Sequence, residues 1–138
     1  MKGSFEFLDH TADVGIVAVG ENVAEAFSQA ATALFTIMVE MENLRETGMR
    51  EVAVSAPDQE ALLVAWLNEL LYLSEVDGVL FRRFEVYELT STDLKARCYG
   101  EKVDPARHRL KAEVKSATYH MLHVQQGPPA RVQVILDI

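Results

Sequence analysis

Hydrophobic and polar residues alternate over the first twenty positions of the chain, as they do in half-buried strands. Phe5 and Phe7 alternate with polar neighbours and predict a short strand. Residues 14–19 predict a second strand or its continuation, and Gly20 ends it. Residues 9–13 interrupt the apolar pattern with polar side chains. The chain therefore begins with two strand segments that meet at a polar junction.

Two helices follow, predicted by apolar residues that recur every three or four positions. Asn22 and Glu25 have the spacing of a helix-starting capping pair, and the apolar stripe behind them continues to Met41, over about five turns. A second helix begins at Pro57-Asp58, with Ser55 and Asp58 again at capping spacing, and ends at Gly78. Apolar residues surround much of this second helix, so we expect it to lie deep in the fold. They are Leu62, Leu63, Trp66, Leu67, Leu70, Leu71 and Leu73.

The second half of the chain is predicted to consist mostly of strands, because β-branched and aromatic residues alternate there with polar ones. The element order becomes β-β-α-β-α-β-β-β-β. Two helices packed on a mostly antiparallel sheet place the protein in the α+β class, as a single domain over residues 1–138. The predicted strands after the first helix cover residues 50–55, 79–89 (with a bulge at 82–83), 94–100, 109–124 and 130–137.

Composition agrees with one globular domain. At 138 residues, with 49% hydrophobic and 25% charged residues, folding can bury roughly two-thirds of the chain's surface without a metal or a disulfide. The single cysteine, Cys98, excludes an internal disulfide and a cysteine-rich zinc module, and we expect it to be buried and inert. No apolar run approaches a membrane span, and the N-terminus does not resemble a signal peptide. We therefore expect a cytoplasmic protein with no membrane contact.

The charge distribution is uneven. Thirteen basic and 21 acidic residues give a net charge of −8, which disfavours binding of nucleic acid across the whole surface. Residues 95–115 nevertheless contain seven basic and three acidic residues. This basic stretch has two interpretations: it faces a charged protein partner, or it consists of the polar faces of strands exposed to water.

A pair of histidines, His120 and His123, has the look of a metal-binding motif. Residues three apart in a strand point to opposite faces, so we expect that these imidazoles do not share a metal ion. His120 falls on an apolar face of the predicted strand, and we expect it to be a hydrogen-bonded core histidine.

The polar junction and the chain's end carry the more interesting chemistry. Residues 9–13 contribute two carboxylates, an imidazole and a hydroxyl, and an aspartate there has an ordinary interpretation as a cap of backbone amides. Apolar residues alternate up to Ile138, which predicts that the last strand stays paired to its end. If residues 124 and 130 flank a hairpin loop, Asp137 lies opposite Ala117 and Ile138 opposite Ser116. Lys115 then becomes the diagonal neighbour of Asp137 on the same face.

This register leaves two possibilities for the two anionic groups at the strand end. In the first, Lys115 neutralises the Asp137 side chain and the terminal carboxylate in an ordinary salt bridge. In the second, a third carboxylate lies beside these two groups. The third carboxylate is most plausibly that of Asp13, and the set becomes an oxygen-only cluster suited to a hard ion such as calcium or magnesium.

Four segments of the sequence resemble the archease family, whose members assist the RtcB-type tRNA-splicing ligase. The resemblance covers essentially the whole chain. Lys102 stands where many relatives have proline, and Ser116 where a small apolar residue is expected; neither departure affects a charged site. The four segments are Asp9-His10-Thr11-Ala12-Asp13-Val14-Gly15, Gly100-Glu101 to Asp104, Lys115-Ser116-Ala117-Thr118-Tyr119-His120 and Leu136-Asp137-Ile138.

The resemblance implies a fold and a site. The fold is a strand-helix-strand-strand module with a second such unit inserted. A divalent cation, calcium in the family, is held by the positions that match Asp13, Asp137 and the terminal carboxylate of Ile138. The position of Lys115 is counted among the family's functional residues, and we group His10 with it as a residue that acts on the partner.

The resemblance also implies that the protein is not an enzyme. It activates an RtcB-type RNA ligase by promoting GTP-dependent guanylylation of the ligase's histidine, which allows multiple turnover in tRNA splicing and RNA repair. Contact with tRNA is then only through the ligase. Two alternatives remain: a protein-binding or chaperone-like module, and a small metal-dependent enzyme acting on phosphoesters, with His10 as general base beside a metal held by Asp13 and Asp137.

Overall fold

The computed structural model of the chain describes the backbone of residues 3–10 and 13–138, and the side chains of residues 3–8 and 13–138. Its elements follow one another in the predicted order. A short 3-10 helix, Met41–Asn43, lies in the connector after the first helix. The strands and helices are β1 (Ser4–His10), β2 (Asp13–Gly20), α1 (Val23–Met38), β3 (Gly48–Ser55), α2 (Gln59–Asp77), β4 (Val79–Leu89), β5 (Asp93–Lys102), β6 (Ser116–Gln125) and β7 (Ala130–Asp137).

The strands form two sheets in which all neighbours are antiparallel. One sheet has the order β1-β2-β7-β6 and the other the order β3-β5-β4. The elements β2, α1, β6 and β7 make one strand-helix-strand-strand unit, and β3, α2, β4 and β5 make the second, inserted between α1 and β6. The predicted α+β class and the inserted module are confirmed. The strands are divided between two sheets, a detail that the sequence interpretation did not specify.

Helix α1 begins at its predicted cap, whereas Asp58 itself, and not Ser55, caps α2. The Asn22 side chain accepts a hydrogen bond from the Glu25 N–H (2.8 Å), and the Glu25 carboxylate accepts one from the Glu21 N–H (2.9 Å). Asp58 caps α2 through the N–H of residue 61 (2.8 Å). Gly78 ends α2 in the left-handed conformation, with φ of 63°. The first helix ends at residue 38, earlier than predicted, because residue 39 is already extended.

The two units share one hydrophobic core. Trp66 of α2 is fully buried, and its indole N–H donates a hydrogen bond to the Phe27 carbonyl of α1 (3.0 Å). Phe84 of β4 lies against Trp66 and Phe35 with ring centroids 6.1 and 5.7 Å apart, a spacing typical of aromatic pairs. The deep position predicted for α2 is confirmed. Neither helix in the described parts of the chain is long and apolar enough to cross a membrane.

Two predictions in the second half of the chain are wrong. The strand predicted over residues 109–124 begins only at Ser116, because the backbone of residues 109–112 bonds to residues 37–40 at the end of α1 instead. The Lys111 N–H, for example, donates to the Met38 carbonyl (2.8 Å). His120 is exposed and not a core residue, since the apolar alternation on which that prediction relied is broken within β6. Cys98 is buried as expected, and burial raises the pKa of its thiol to about 12.

A buried carboxylate, that of Glu101, fixes the loop that follows β5. Its side chain is 7% exposed and accepts hydrogen bonds from Arg107 (2.7 Å) and from the Arg45 N–H (2.7 Å). His108 donates a third from Nε2 (2.8 Å), since its Nδ1 accepts the Asp104 N–H (2.8 Å) and the ring proton therefore lies on Nε2. The hydrogen bond from the Arg107 guanidinium holds the pKa of Glu101 well below its usual range.

We predict that Glu101→Gln lowers the free energy of unfolding at pH 7 by about 2–3 kcal/mol, because the donors around the buried group then face a neutral amide. The folded-state pKa of Glu101 lies below the unfolded value of about 4.3, so its stabilising contribution is complete above that value. The contribution is lost as the pH falls from there through the folded pKa.

Urea unfolding at pH 7 and pH 3 measures both effects. The wild type should lose more stability between the two pH values than the Glu101→Gln variant does. Glu60→Gln, at an exposed position of α2, is the charge-matched control and should behave as the wild type. Equal acid sensitivity of the wild type and Glu101→Gln would contradict this account.

Candidate functional site

The end of the four-stranded sheet brings the chain's beginning and its end together. Strand β7 lies between β2 and β6, and Asp137 at its end is paired with Asp13 of β2 on one side and with Ser116 of β6 on the other. Ile138 follows as the last residue. We call Asp13, Asp137 and the terminal carboxylate of Ile138 the acidic row. The predicted meeting of the two chain ends is present in the structure.

Side chains alternate between the two faces of β2 and β7, and this alternation places Asp13 and Asp137 on the same face. The alternate residues Ile16 and Val134 point into the core and are fully buried. Asp13 and Asp137 have the opposite parity and lie on the face turned away from that core. Directly opposed residues of antiparallel strands have Cβ atoms about 4.5–5.5 Å apart, so the two carboxylates are near neighbours.

Gly15 permits close packing beside the acidic row. A Cβ atom at this position would lie 2.9 Å from the Leu8 Cβ and 3.0 Å from the Ile135 Cδ1, closer than side chains normally approach. The absence of a side chain thus lets β1 and β7 side chains close over β2, two residues from Asp13.

The two aspartates of the acidic row carry like charges and lie opposite each other. Like charges directly opposite each other on neighbouring strands destabilise a sheet. In the described parts of the chain, no group of three or more His, Cys, Asp or Glu side chains is arranged to hold a metal ion. Asp13 and Asp137 supply two side chains, and the third donor of the expected set is the main-chain carboxylate of Ile138. All three are oxygen donors, the type that hard cations prefer.

The predicted position of Lys115 is wrong in register. Asp137 lies opposite Ser116 and not Ala117, for two reasons. At the hairpin, Val124 pairs with Val132 and not with Ala130, so the predicted hairpin register is wrong. An irregularity of β6 between Thr118 and His123 then shifts its pairing with β7 again. Lys115 is therefore not the same-face diagonal neighbour of Asp137. It still contacts the site through its backbone, whose N–H donates a hydrogen bond to the Asp137 carbonyl (2.8 Å).

The salt bridge considered for Lys115 is not formed. Its side chain is exposed, and among the described residues no carboxylate oxygen lies within 4.0 Å of its ammonium group. Ser116 is the residue that the sequence interpretation missed, since a continuous register placed Ala117 opposite Asp137.

The structure describes residues 9–12 of the polar junction only in part. His10 pairs through its backbone with Asp13 where β1 meets β2. The side chains of Asp9 and His10, and all of residues 11 and 12, lie outside the described residues. The role expected for His10 therefore stays a prediction.

The basic stretch over residues 95–115 is partly neutralised within the molecule. Lys95 lies 3.9 Å from Glu88, and Arg97 lies 3.1 Å from Glu85 on the neighbouring strand. Arg107 is paired with the buried Glu101 described above. These three cations are thus paired with carboxylates of the same chain. For them the structure favours the interpretation that they are ordinary polar residues of strands and loops, and not parts of a charged surface that faces a partner.

Comparison with known proteins finds one family and relatives within it. The sequence matches the Archease protein family (MTH1598/TM1083) over residues 5–138. It is similar to the protein archease of Methanosarcina mazei, with 41% identity over 97% of this chain and 95% of that one. The protein archease of Pyrococcus abyssi is also 41% identical, over 97% of this chain and 98% of that one.

Two solved structures have the same fold. The solution structure of Methanobacterium thermoautotrophicum protein 1598 has a TM-score of 0.84 and 34% identity and covers 100% of both chains. The crystal structure of an archease from Thermotoga maritima, described as a possible chaperone, has a TM-score of 0.66 and covers 95% of this chain and 94% of that one. With 20% identity, that second likeness concerns the fold alone.

The opposed carboxylates generate a stability prediction. In the presence of EDTA, Asp137→Asn should raise the free energy of unfolding by about 0.5 kcal/mol, because it removes one of two like charges that face each other. Urea unfolding in EDTA measures the change, with Glu60→Gln as the control for loss of a distant carboxylate. A variant less stable than the wild type would show that Asp137 is already neutralised within the chain.

Proposed function

Because the chain belongs to the archease family, we propose that it is a non-catalytic activator of an RtcB-type RNA ligase. In this proposal it promotes GTP-dependent guanylylation of the ligase's histidine and so permits multiple turnover in tRNA splicing and RNA repair. It acts in the cytoplasm and contacts tRNA only through the ligase. The observation that supports the proposal is the opposition of Asp13 and Asp137 beside the chain's terminal carboxylate.

We propose that the acidic row binds a divalent cation and that this cation is calcium. Three negatively charged oxygen donors side by side are repelled by one another and attracted by a hard cation, which is the donor chemistry that calcium selects. Asp13, Asp137 and Ile138 would hold it. When bound, such an ion supplies a concentrated positive charge that can stabilise phosphate oxygens.

The chain's own residues then have separate tasks. The β2–β7 pairing holds Asp13 against Asp137, and the Lys115 N–H fixes the carbonyl of Asp137 from the other side. The Lys115 side chain is exposed, and we propose that it contacts phosphate groups in the partner's cleft. His10 is proposed to contact the partner from the β1–β2 junction.

A first test removes the ion's ligands one at a time. Asp13→Ala, and deletion of Ile138, should each leave a folded protein that no longer stimulates the ligase. The first removes a carboxylate of the proposed cation site, and the second moves the terminal carboxylate from Ile138 to Asp137. The measurement is guanylylation and multiple-turnover ligation by the cognate ligase, with and without the protein, in titrated calcium and manganese. Glu60→Gln is the matched control and should stimulate fully. Normal stimulation by both site variants would exclude this role for the acidic row.

A second test measures the cation directly. Calcium at about 100 times its dissociation constant should stabilise the wild-type protein by about 2.7 kcal/mol, seen as a rise in melting temperature over EDTA. Asp137→Asn should abolish the rise, and Glu60→Gln should preserve it. An equal rise in all three proteins would place calcium elsewhere on the molecule.

The same assays separate the alternatives. A chaperone-like module, as the Thermotoga maritima protein is described, predicts that the terminal carboxylates are dispensable for action on the partner. A metal-dependent enzyme that uses His10 and Asp13 predicts turnover of nucleotides or phosphoesters by the purified protein without any ligase. Stimulation that needs both the ligase and the acidic row supports the activator.

A further inference from the structure

Strand β6 contains an insertion close to the acidic row. Thr118 pairs with Ile135 of β7, and the next paired residue of β6 is His123, opposite Gln133. Four residues of β6 therefore face a single residue of β7, Val134. We call residues 119–122 the β6 bulge. Bulges of this kind redirect side chains and are common beside functional sites.

The β6 bulge is held in place by specific hydrogen bonds. At its start, the Thr118 hydroxyl donates to the Ile135 carbonyl (2.8 Å) and accepts the N–H of His120 (3.3 Å). At its centre, the Met121 carbonyl accepts a hydrogen bond from the Gln133 side chain (3.0 Å). Met121 has φ of 53°, a left-handed conformation that costs energy in a residue other than glycine. The chain thus maintains an unfavourable backbone conformation at a defined place.

The conformation presents large side chains to solvent. Tyr119 is 65% exposed and Met121 is 51% exposed, and both lie on β6, an edge strand of the four-stranded sheet. Tyr119 is three residues from Ser116, which pairs with Asp137. At about 3.3 Å per residue, its backbone lies within about 10 Å of the acidic row along the strand. Tyrosine and methionine are enriched at the cores of protein interfaces.

We propose that the β6 bulge is a docking element for the same protein that the acidic row engages. This inference rests on the proposed function, so the occupant is an apolar recess of the RtcB-type ligase beside the cleft that the acidic row enters. Tyr119 is the anchor side chain, and Met121 fills the adjoining surface.

Charge supports a protein occupant over RNA stacked on Tyr119. The chain carries a net charge of −8, and the carboxylates of Asp13 and Asp137 lie a few residues away. A strand of RNA stacked on Tyr119 would bring its phosphates towards these carboxylates and be repelled. A protein recess brings no such charge.

A second exposed surface provides the matched control. A groove of about 790 Å³ lies between the C-terminal half of α2 and residues 110–116, with Tyr72 among its lining residues. Tyr72 is 58% exposed, close to the value for Tyr119. The groove is also lined by Lys115 and Ser116, so it borders the site. Tyr72→Ala therefore removes the same side chain at similar exposure from α2 and not from β6.

The experiment measures affinity and stimulation separately. Tyr119→Ala should weaken binding to the purified cognate ligase at least tenfold, measured by titration calorimetry, with an unchanged melting temperature. At saturating protein its maximal stimulation of guanylylation should stay near the wild-type value, because the acidic row is intact. Tyr72→Ala should bind as the wild type does.

A second variant separates docking from folding. Met121→Gly suits the left-handed backbone, so the protein should be at least as stable as the wild type. Its binding to the ligase should nevertheless weaken several-fold, since the side chain is gone. If the bulge had only a structural role, neither Tyr119→Ala nor Met121→Gly would weaken binding to the ligase.

Several outcomes would overturn the proposal. They are wild-type affinity in both Tyr119→Ala and Met121→Gly, loss of affinity in Tyr72→Ala alone, or binding of a single-stranded RNA by the protein alone that Tyr119→Ala abolishes. If the wild-type protein itself does not bind the ligase, the proposed function fails and the docking element fails with it. If the wild type binds and stimulates while Tyr119→Ala binds equally well, the docking element alone fails.

Discussion

The pairing of β2 with β7 is the constraint on which the candidate site depends. It runs without interruption from Gly20 opposite Ala130 to Asp13 opposite Asp137. Residues of both strands that face the core, such as Ile16 and Val134, are fully buried. A slip of one residue would turn these side chains to the other face, so the hydrophobic core fixes the register. The last residues of the chain, which fray in most proteins, are therefore held opposite the start of β2.

The inserted unit supports this arrangement from the other side. Asn68 of α2 accepts a hydrogen bond from the Ala117 N–H (2.7 Å) and donates one to the Ala117 carbonyl (3.4 Å). These bonds hold β6 beside the end of β7, where Ser116 meets Asp137. A helix from the insertion thus positions a strand of the unit into which it is inserted, and the shared core couples the two.

Much of the fold could be predicted from the sequence because its determinants are local. The cap at Asn22 and the apolar alternation up to Ile138 depend on neighbouring residues, and the structure contains both. The pairing of β6 with β7 could not be predicted in the same way. It depends on a bulge centred on Met121, whose left-handed backbone has no pattern in the hydrophobic sequence. The error at His120 has this origin, and the error at Lys115 combines it with the hairpin, where Val124 pairs with Val132.

Three features that oppose stability lie on neighbouring strands of the four-stranded sheet, β2, β7 and β6. Asp13 faces Asp137 with like charge, Met121 has a left-handed backbone, and Tyr119 is largely exposed. Elsewhere caps, ion pairs and aromatic contacts agree with local preference, and no buried side-chain polar atom in the described residues lacks a hydrogen bond. Departures from local preference are common at binding sites. Their closeness on neighbouring strands is the reason why we propose a single binding surface, of which the acidic row and the β6 bulge are two parts.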